Sequence, residues 1–338
     1  MISKNKIKTK GYFSLKAKSK LVEQNFFIDN PKKNEIIIKV KYCGLCQSDI
    51  KLINKNWHFA KFPFVPGHEI IGEVFKKGNN VKKFSLNERV GVGWFSSFCM
   101  KCKNCKDGNE NMCQKYELTC VGRNGGFAEF VKIDQSSVFK IPKKIKSSHA
   151  ASLLCAGWTV FGALKNFNIK KRSTVGILGI GGLGHLGIKF GKKLGYKIIG
   201  ITETKSKLRD IVKLGSKEAY HFDQFIKFRN KFDYLLITSH YNYDWKAVIK
   251  PMAYDSTICF VSRPSKDLKL NVFDFMSKRI KITASPGSSK KNMVEMLKMS
   301  AKHNIYPIIQ EFKIKEINLA IKKLIQNKIR YRAVIKIS

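Results

Sequence analysis

The sequence lacks a long apolar run, which excludes a protein that spans a membrane with apolar helices. No run approaches the roughly 18 apolar residues that would indicate a membrane span, so we expect no membrane partner. Residues 1–10 are basic but lack the apolar stretch of a secretory signal. Nine cysteines without such a signal favour reduced thiols and metal binding over a disulfide framework. We therefore expect a cytoplasmic protein.

Acidic residues are scarce, and arginine is scarcer still. The chain has 65 basic and 24 acidic residues, a net charge of +41, and only nine of the basic residues are arginine. A nucleic-acid surface favours clustered basic residues with some arginine, whereas these lysines are spread along the whole chain. Composition bias explains the charge more simply. We expect no specific nucleic-acid partner, although non-specific adhesion to polyanions in dilute salt would be ordinary.

The chain of 338 residues is long enough for two domains. Its first half shows short strands between mixed loops, such as Ile36–Val40 and Arg89–Gly93, which is typical of a β-rich domain. From about Ser147 to Ser285, apolar strands alternate with helical stretches, which indicates βαβ units and a parallel sheet. A helical tail then ends in a strand at Tyr331–Ile335.

A glycine-rich turn follows the buried strand at residues 175–178 and precedes a helix. Strand, glycine turn and helix in this order are the context that a dinucleotide-binding fingerprint requires. The glycines allow a tight turn and a close approach to a pyrophosphate, and the helix N-terminus supplies N–H donors. The predicted cofactor-binding residues of this turn are Gly179, Gly181, Gly182, Leu183 and Gly184.

The end of the next strand bears on which dinucleotide is bound. An acidic residue there usually takes the ribose hydroxyls of NAD. The aligned position here is Thr202, and Glu203 follows one residue later. Thr202, Thr204 and Lys207 could together hold a 2′-phosphate, which favours NADP, whereas Glu203 favours NAD. We expect NADP and keep NAD as the alternative.

Four closely spaced cysteines predict one zinc site. Four thiolates at this spacing can converge on one tetrahedral zinc and leave no coordination position open, so the site should be structural. The cysteines are Cys99, Cys102, Cys105 and Cys113.

Three further segments predict a second, catalytic zinc site. Cys43 and Cys46 follow the first strand, His68 lies in a Pro-Gly-His-Glu turn, and Cys155 precedes the βαβ region. Two thiolates and one imidazole form a catalytic zinc set that leaves the fourth position open. The residues alone do not decide between Cys43 and Cys46.

These motifs together resemble the zinc-dependent medium-chain alcohol dehydrogenases, specifically their cinnamyl alcohol dehydrogenase branch. The resemblance covers nearly the whole chain. It is carried by the four-cysteine loop and by the segments Cys46–Asp49, Val65–Glu69, Gly125–Glu129, Leu154–Gly157, Gly181–His185 and Arg330–Arg332.

The resemblance implies a two-domain α/β fold. Residues 1–154 and 289–338 would form a GroES-like, β-rich catalytic domain that binds zinc. Residues 155–288 would form a Rossmann domain with a doubly wound parallel sheet. The family also implies two zinc ions per chain and a homodimer formed through the Rossmann sheets.

The resemblance also assigns the metal ligands. It implies that Cys46 rather than Cys43 binds the catalytic zinc together with His68 and Cys155. Glu69 would enter the metal's coordination shell when water or product leaves. Cys43 would then be a packing residue.

Further roles implied by the resemblance concern protons and cofactor. Asp49 would hydrogen-bond His68, and Ser48 would carry the alcohol proton. Thr159 would back the nicotinamide ring, and Arg332 would lie near the pyrophosphate. Some family members relay the proton through a histidine at the position of Lys51, so the relay here would end on ribose hydroxyls and water or on Lys51 itself.

We expect an enzyme that interconverts aldehydes and primary alcohols with NADP(H), favouring reduction of aromatic or medium-chain aldehydes. Trp57 and Trp94 are the expected pocket lining, because a flat apolar wall suits such substrates. One alternative is an NAD-dependent enzyme of the same fold. A second is a zinc-containing nucleic-acid binder, and a third is a non-catalytic homologue, which should have lost a zinc ligand.

Overall fold

A computed structural model describes residues 6–338 of the chain. The strands are β1 (Lys6–Phe13), β2 (Val22–Asp29), β3 (Glu35–Leu45), β4 (Glu69–Lys77), β5 (Arg89–Val92), β6 (Phe95–Ser97), β7 (Glu117–Leu118), β8 (Phe130–Asp134), β9 (Val138–Lys140), β10 (Thr174–Leu178), β11 (Lys197–Thr202), β12 (Glu218–His221), β13 (Phe232–Ile237), β14 (Met252–Phe260), β15 (Lys281–Ala284), β16 (Ile309–Lys313) and β17 (Arg332–Lys336). The helices are α1 (Gln47–Ile53), α2 (Lys103–Lys106), α3 (Ser147–Ser152), α4 (Trp158–Lys165), α5 (Gly184–Lys193), α6 (Leu208–Lys213), α7 (Phe222–Phe225), α8 (Trp245–Ile249), α9 (Val272–Met276), α10 (Lys290–His303) and α11 (Ile317–Ile325).

The chain divides into two compact units. The first contains the residues up to Cys155 together with Ser289–Ser338, and the second contains Ala156–Ser288. Among residues 6–338, no helix combines the length and the apolar character that crossing a bilayer requires.

The first unit is built around a seven-stranded sheet in the order β16-β17-β3-β4-β5-β9, with β8 also paired to β3. All the pairings are antiparallel except β16 with β17. Apolar side chains of β3 and β4, including Ile36, Ile38, Val40 and Ile70, are fully buried in the core beside this sheet. The β-rich first half expected from the sequence is therefore confirmed.

The second unit contains a six-stranded parallel sheet in the order β12-β11-β10-β13-β14-β15. The strand order reverses beside β10, as in a doubly wound sheet. Val175, Ile177 and Leu235 are completely buried. Burial on both faces explains why these strands read as continuous apolar runs. The Rossmann-type sheet predicted from the sequence is confirmed.

The glycine turn joins β10 to α5 and depends on two of its glycines. Gly179 has φ +98°, and a Cβ there would lie 2.6 Å from the Ser239 Cβ atom. A Cβ on Gly184 would lie 2.2 Å from the Gly179 carbonyl oxygen. A Cβ on Gly181 would meet no atom within 4 Å, so open space lies beside the turn. The turn thus packs tightly on its inner side and leaves room for a ligand on its outer side.

Gly184→Ala should destabilise the second unit, because the new methyl group would clash with a backbone oxygen that cannot rotate away. We expect a loss of about 1–3 kcal/mol in the free energy of unfolding, measured by denaturant titration. Gly187→Ala on the same helix is the matched control. Its Cβ would lie 3.5 Å from Ile177, an ordinary contact, and alanine favours a helix over glycine by up to about 1 kcal/mol. Equal losses in both variants would contradict this account of the turn.

Candidate functional site

Four side chains that could ligate a metal converge in the first unit. They are Cys46, His68, Glu69 and Cys155, and their ligand atoms all lie within 4.8 Å of one another. Cys46 follows β3, and Glu69 begins β4 beside Gly44 of β3, so strand pairing brings these ends together. Cys155 lies in a single turn of π-helix. Such widened turns are frequent at functional sites.

Asp49 holds two of the segments that form this cluster. Its completely buried carboxylate accepts backbone hydrogen bonds from Cys46 at 3.0 Å and Gly67 at 3.1 Å. The same carboxylate lies 2.9 Å from Nδ1 of His68. Because a carboxylate only accepts, Nδ1 carries a proton, and Nε2 is the ring nitrogen left for the cluster.

The environment of His68 suits a metal ligand. Its buried Nε2 has no hydrogen-bond partner in the structure. Burial alone would lower the pKa of His68, but the charge of Asp49 and its hydrogen bond raise that pKa well above its ordinary value. A carboxylate behind a histidine fixes its tautomer and makes it a stronger ligand. An orphaned, basic nitrogen beside two thiols fits zinc.

The two thiols of the cluster differ in pKa. A hydrogen bond with Cys155 lowers the pKa of Cys46 well below its ordinary value, against the effect of burial. The same hydrogen bond, together with burial, raises the pKa of Cys155. The thiolate form of Cys46 is thus favoured, and a bound cation would also favour the thiolate form of Cys155.

Glu69 forms a buried ion pair with Arg332 of β17. Its other carboxylate oxygen, Oε2, has no partner, and neither has Nε of Arg332. Burial raises the pKa of Glu69, and Arg332 opposes this effect. A Cβ on Gly44 would lie 1.9 Å from Oε2, so glycine is needed there to make room for the carboxylate.

Two tryptophans extend from the cluster. The Trp94 ring meets the His68 ring edge-to-face with centroids 4.8 Å apart, and Trp57 meets Trp94 edge-to-face at 5.6 Å. Both indoles are partly exposed. Ser48 is half-buried on α1. The Nζ of Lys51 lies 6.0 Å from the centroid of Trp57. An aromatic wall therefore begins at His68.

The second cluster consists of four free cysteines whose ligand atoms lie within 4.8 Å of one another; they are Cys99, Cys102, Cys105 and Cys113. The Sγ atoms of Cys99 and Cys105 are 3.9 Å apart. Backbone N–H groups of Lys101 and Cys102 point at Cys99 Sγ, and these hydrogen bonds lower the pKa of Cys99 to about 6. Donors arranged around sulfur stabilise thiolates, which is what a tetrathiolate zinc site needs.

The other cysteines lie elsewhere. Cys43 is buried, and its Sγ would be 2.8 Å from a Cβ on Gly67. Cys120 and Cys259 are also buried.

Apart from Thr159, the predicted cofactor residues of the second unit lie in the turn after β10 or around the end of β11. Thr202 is buried, and its hydroxyl accepts a hydrogen bond from the Thr204 amide at 3.1 Å. Thr204 is exposed, and Lys207 is half-buried in the next turn. Thr159 is half-buried on α4.

Sequence reasoning missed the spatial neighbours of two residues, Arg332 and Glu203. Arg332 was expected near a pyrophosphate, and its pairing with Glu69 depends on β17 lying beside β3. His221 and Asp223 lie beside Glu203 only because β12 pairs with β11. No local motif signals either neighbourhood.

Family models match both parts of the chain. Residues 32–143 match the alcohol dehydrogenase GroES-like domain, and residues 182–302 match the zinc-binding dehydrogenase model. The aldehyde reductase AdhA of Synechocystis is 34% identical over 96% of this chain and 98% of its own length.

Solved structures show the same relationship. A cinnamyl alcohol dehydrogenase from Sorghum bicolor superposes with a TM-score of 0.93 at 27% identity over 98% of both chains. The cinnamyl alcohol dehydrogenase of Helicobacter pylori, complexed with NADP(H), gives 0.91 at 29% identity, again over 98% of both chains. The chain belongs to the zinc-dependent medium-chain alcohol dehydrogenase family, in its cinnamyl alcohol dehydrogenase-like branch.

Proposed function

We propose that the protein is a zinc-dependent oxidoreductase that reduces aldehydes with NADPH and oxidises primary alcohols in reverse. The observation that carries this proposal is the convergence of Cys46, His68, Glu69 and Cys155 within 4.8 Å around an orphaned imidazole nitrogen. The naming of relatives as aldehyde reductase and cinnamyl alcohol dehydrogenase supports the reaction class. The alternative of a zinc-containing nucleic-acid binder has no comparable support.

Cys46, His68 and Cys155 would hold the catalytic zinc. Two thiolates balance the charge of the ion, and zinc bound there supplies the Lewis acidity that polarises a carbonyl group. Glu69 would act as a reserve ligand, since its Oε2 is unpartnered while Arg332 neutralises the rest of the carboxylate. Asp49 would keep the His68 lone pair directed at the ion.

Ser48 would carry the proton between substrate oxygen and solvent. It lies two residues from Cys46 and is half-buried on α1. Lys51, one helical turn further, remains an alternative end of that relay. Trp94 and Trp57 would line the substrate pocket, because their edge-to-face wall starts at the His68 ring. Flat aromatic surfaces favour aromatic or medium-chain aldehydes.

The second unit would bind NADP(H), which supplies or accepts the hydride. Space beside Gly181 and the N-terminus of α5 fit a pyrophosphate, together with Gly179, Gly182, Leu183 and Gly184. Thr202, Thr204 and Lys207 would face the 2′-phosphate, and Thr159 would face the nicotinamide. The NADP(H) complex of the Helicobacter pylori relative supports the choice of cofactor. NAD remains a second candidate because of Glu203.

The two units would be the two functional domains. We propose that residues 1–154 with 289–338 are catalytic and that residues 155–288 bind the nucleotide. In the structure the units divide after Cys155. The nine cysteines are free in the structure, which supports a reducing compartment such as the cytoplasm.

The four-cysteine cluster would hold a second, structural zinc. All four ligand positions are protein thiols, so no position remains for substrate. The exposed Lys101, Lys103 and Lys106 would offset the negative charge of the tetrathiolate.

A homodimer through the second unit is the proposed assembly. β15 is an edge strand of the six-stranded sheet, and Ile282 on it is exposed. Nearby in sequence, Val272, Phe273 and Met276 of α9 are 69%, 71% and 68% exposed. An open edge strand with exposed apolar side chains invites pairing with another strand. A second copy, related by a two-fold axis, would present the same edge.

Replacing one cysteine from each cluster should separate the roles of the two zinc sites. Metal analysis should give two zinc ions per chain in the wild type and one in each variant. Cys102→Ser should lower the melting temperature, because its zinc holds the loop in shape. Cys46→Ser should keep the fold and lose at least about 100-fold in turnover. An active Cys46→Ser variant would refute the catalytic site.

Substrate preference should follow the tryptophan wall. We expect the zinc-loaded enzyme to reduce cinnamaldehyde, benzaldehyde and hexanal with NADPH. The absorbance of the cofactor measures the rate. Trp94→Ala should raise KM for cinnamaldehyde about threefold to tenfold more than KM for hexanal, since aromatic contacts contribute about 0.5–1.5 kcal/mol. Trp94→Phe should restore most of the wild-type preference for cinnamaldehyde over hexanal. No reduction of any aldehyde would favour a non-catalytic homologue.

Introducing charge on α9 should weaken the dimer. The wild type should elute as a dimer in size-exclusion chromatography with light scattering. Phe273→Glu combined with Met276→Glu should dissociate it, because two charges would be buried in an apolar interface. Val212→Glu, at another exposed apolar position of this unit, should leave the dimer intact. A monomeric wild type would count against the assembly.

A further inference from the structure

The carboxyl ends of β11 and β12 form a small site that the glycine turn does not include. Thr202 and His221 are register partners at these two ends. Glu203 follows Thr202 and is half-buried, whereas Asp223, two residues beyond His221, is exposed. In a doubly wound sheet the adenosine ribose of a dinucleotide lies at the end of the strand next to the glycine turn. Glu203 is the acidic residue that directly follows this strand.

His221 fixes the backbone at Glu203. Its Nε2 donates a hydrogen bond to the Glu203 carbonyl oxygen at 3.2 Å. Its Nδ1 accepts from the Asp223 amide at 3.4 Å and lies 3.2 Å from the Asp223 carboxylate. Three groups from two neighbouring strand ends are therefore linked. The backbone of Glu203 is thereby tied to the end of the neighbouring strand.

The hydroxyl that would bind a 2′-phosphate is partly engaged. Thr202 is buried, and its hydroxyl accepts the Thr204 amide. Thr204 and Lys207 remain as donors, and the exposed Lys205 and Arg209 add positive charge nearby in sequence. These donors and positive charges would favour a phosphate at this strand end.

Two carboxylates oppose that positive charge. Burial raises the pKa of Glu203, and Asp223 raises it further, while His221 lowers it. The charge of Asp223 therefore reaches the Glu203 carboxylate. A 2′-phosphate placed beside Glu203 would be a third anion in the same small volume. A ribose 2′-hydroxyl there would instead donate a hydrogen bond to the carboxylate.

We propose that Glu203, positioned by His221, is the residue that weakens selection for the 2′-phosphate, so that this chain accepts both NADPH and NADH. The proposal rests on the proposed function, since it concerns the cofactor of that reaction. The lysines and Thr204 favour the phosphate, and Glu203 favours the free hydroxyl. Neither form of the cofactor is rejected.

Binding of two nucleotide fragments tests this role without any turnover. Isothermal titration calorimetry of the zinc-loaded protein would use 2′,5′-ADP, which carries the 2′-phosphate, and 5′-AMP, which has the free hydroxyl. Wild-type affinities for the two should lie within about tenfold of each other. Glu203→Gln should tighten 2′,5′-ADP about tenfold relative to 5′-AMP, because the repulsion is removed while the side-chain size is kept.

Two controls separate local from general charge effects. Glu23→Gln removes the same charge by the same substitution on β2 of the first unit, and it should leave both affinities unchanged. Asp223→Asn should shift the ratio in the same direction as Glu203→Gln but by less, since solvent screens an exposed charge.

The outcomes distinguish this proposal from the proposed function. An unchanged affinity ratio in Glu203→Gln, or a wild type that prefers 2′,5′-ADP by 100-fold or more, would overturn the role of Glu203 and leave the reaction standing. Failure of the wild type to bind either fragment would overturn the nucleotide site and the proposed function with it. In kinetics, the expected ratio change should appear as a lower KM for NADPH relative to KM for NADH.

Discussion

The candidate metal centre depends on the hydrogen bonds of the buried Asp49 carboxylate. This carboxylate accepts hydrogen bonds from the backbone at Cys46 and Gly67 and fixes the ring of His68. One side chain thus sets the position of two ligand segments that are about twenty residues apart in the chain. A completely buried carboxylate without such partners would be costly. Its desolvation is offset only while both segments keep their native arrangement.

A second buried charge pair includes one member of the same cluster. Glu69 and Arg332 come from strands that each pair with β3, so the sheet itself brings them together. Gly44 of β3 supplies the space that Glu69 needs. Such a pair adds little net stability, because burying both ions is itself unfavourable, but removing one partner would leave the other charge buried and uncompensated. The strands of the first unit therefore position Glu69 of the cluster as well as forming the core.

The sequence predicted the features that are local in the chain. The glycine turn and the four-cysteine loop follow from spacing, because each is formed by residues close together in the chain. The alternation of apolar strands with helical stretches indicated the parallel sheet, but not the order of its strands. Fold class and family are confirmed. The pairing of Glu69 with Arg332, separated by 263 positions, and the placement of His221 beside Glu203 could not be read locally. They depend on which strands are neighbours, and no short pattern encodes strand order.

The unbalanced lysines of this chain have a consequence for its behaviour in solution. A net charge of +41 makes copies of the protein repel one another at low ionic strength. Added salt shortens the reach of that repulsion to about 8 Å at physiological concentration. Self-association through an apolar edge should therefore strengthen as salt rises, whereas adhesion to anionic surfaces should weaken. The same charge that keeps the protein colloidally stable in dilute buffer would thus make the proposed dimer sensitive to the electrolyte around it.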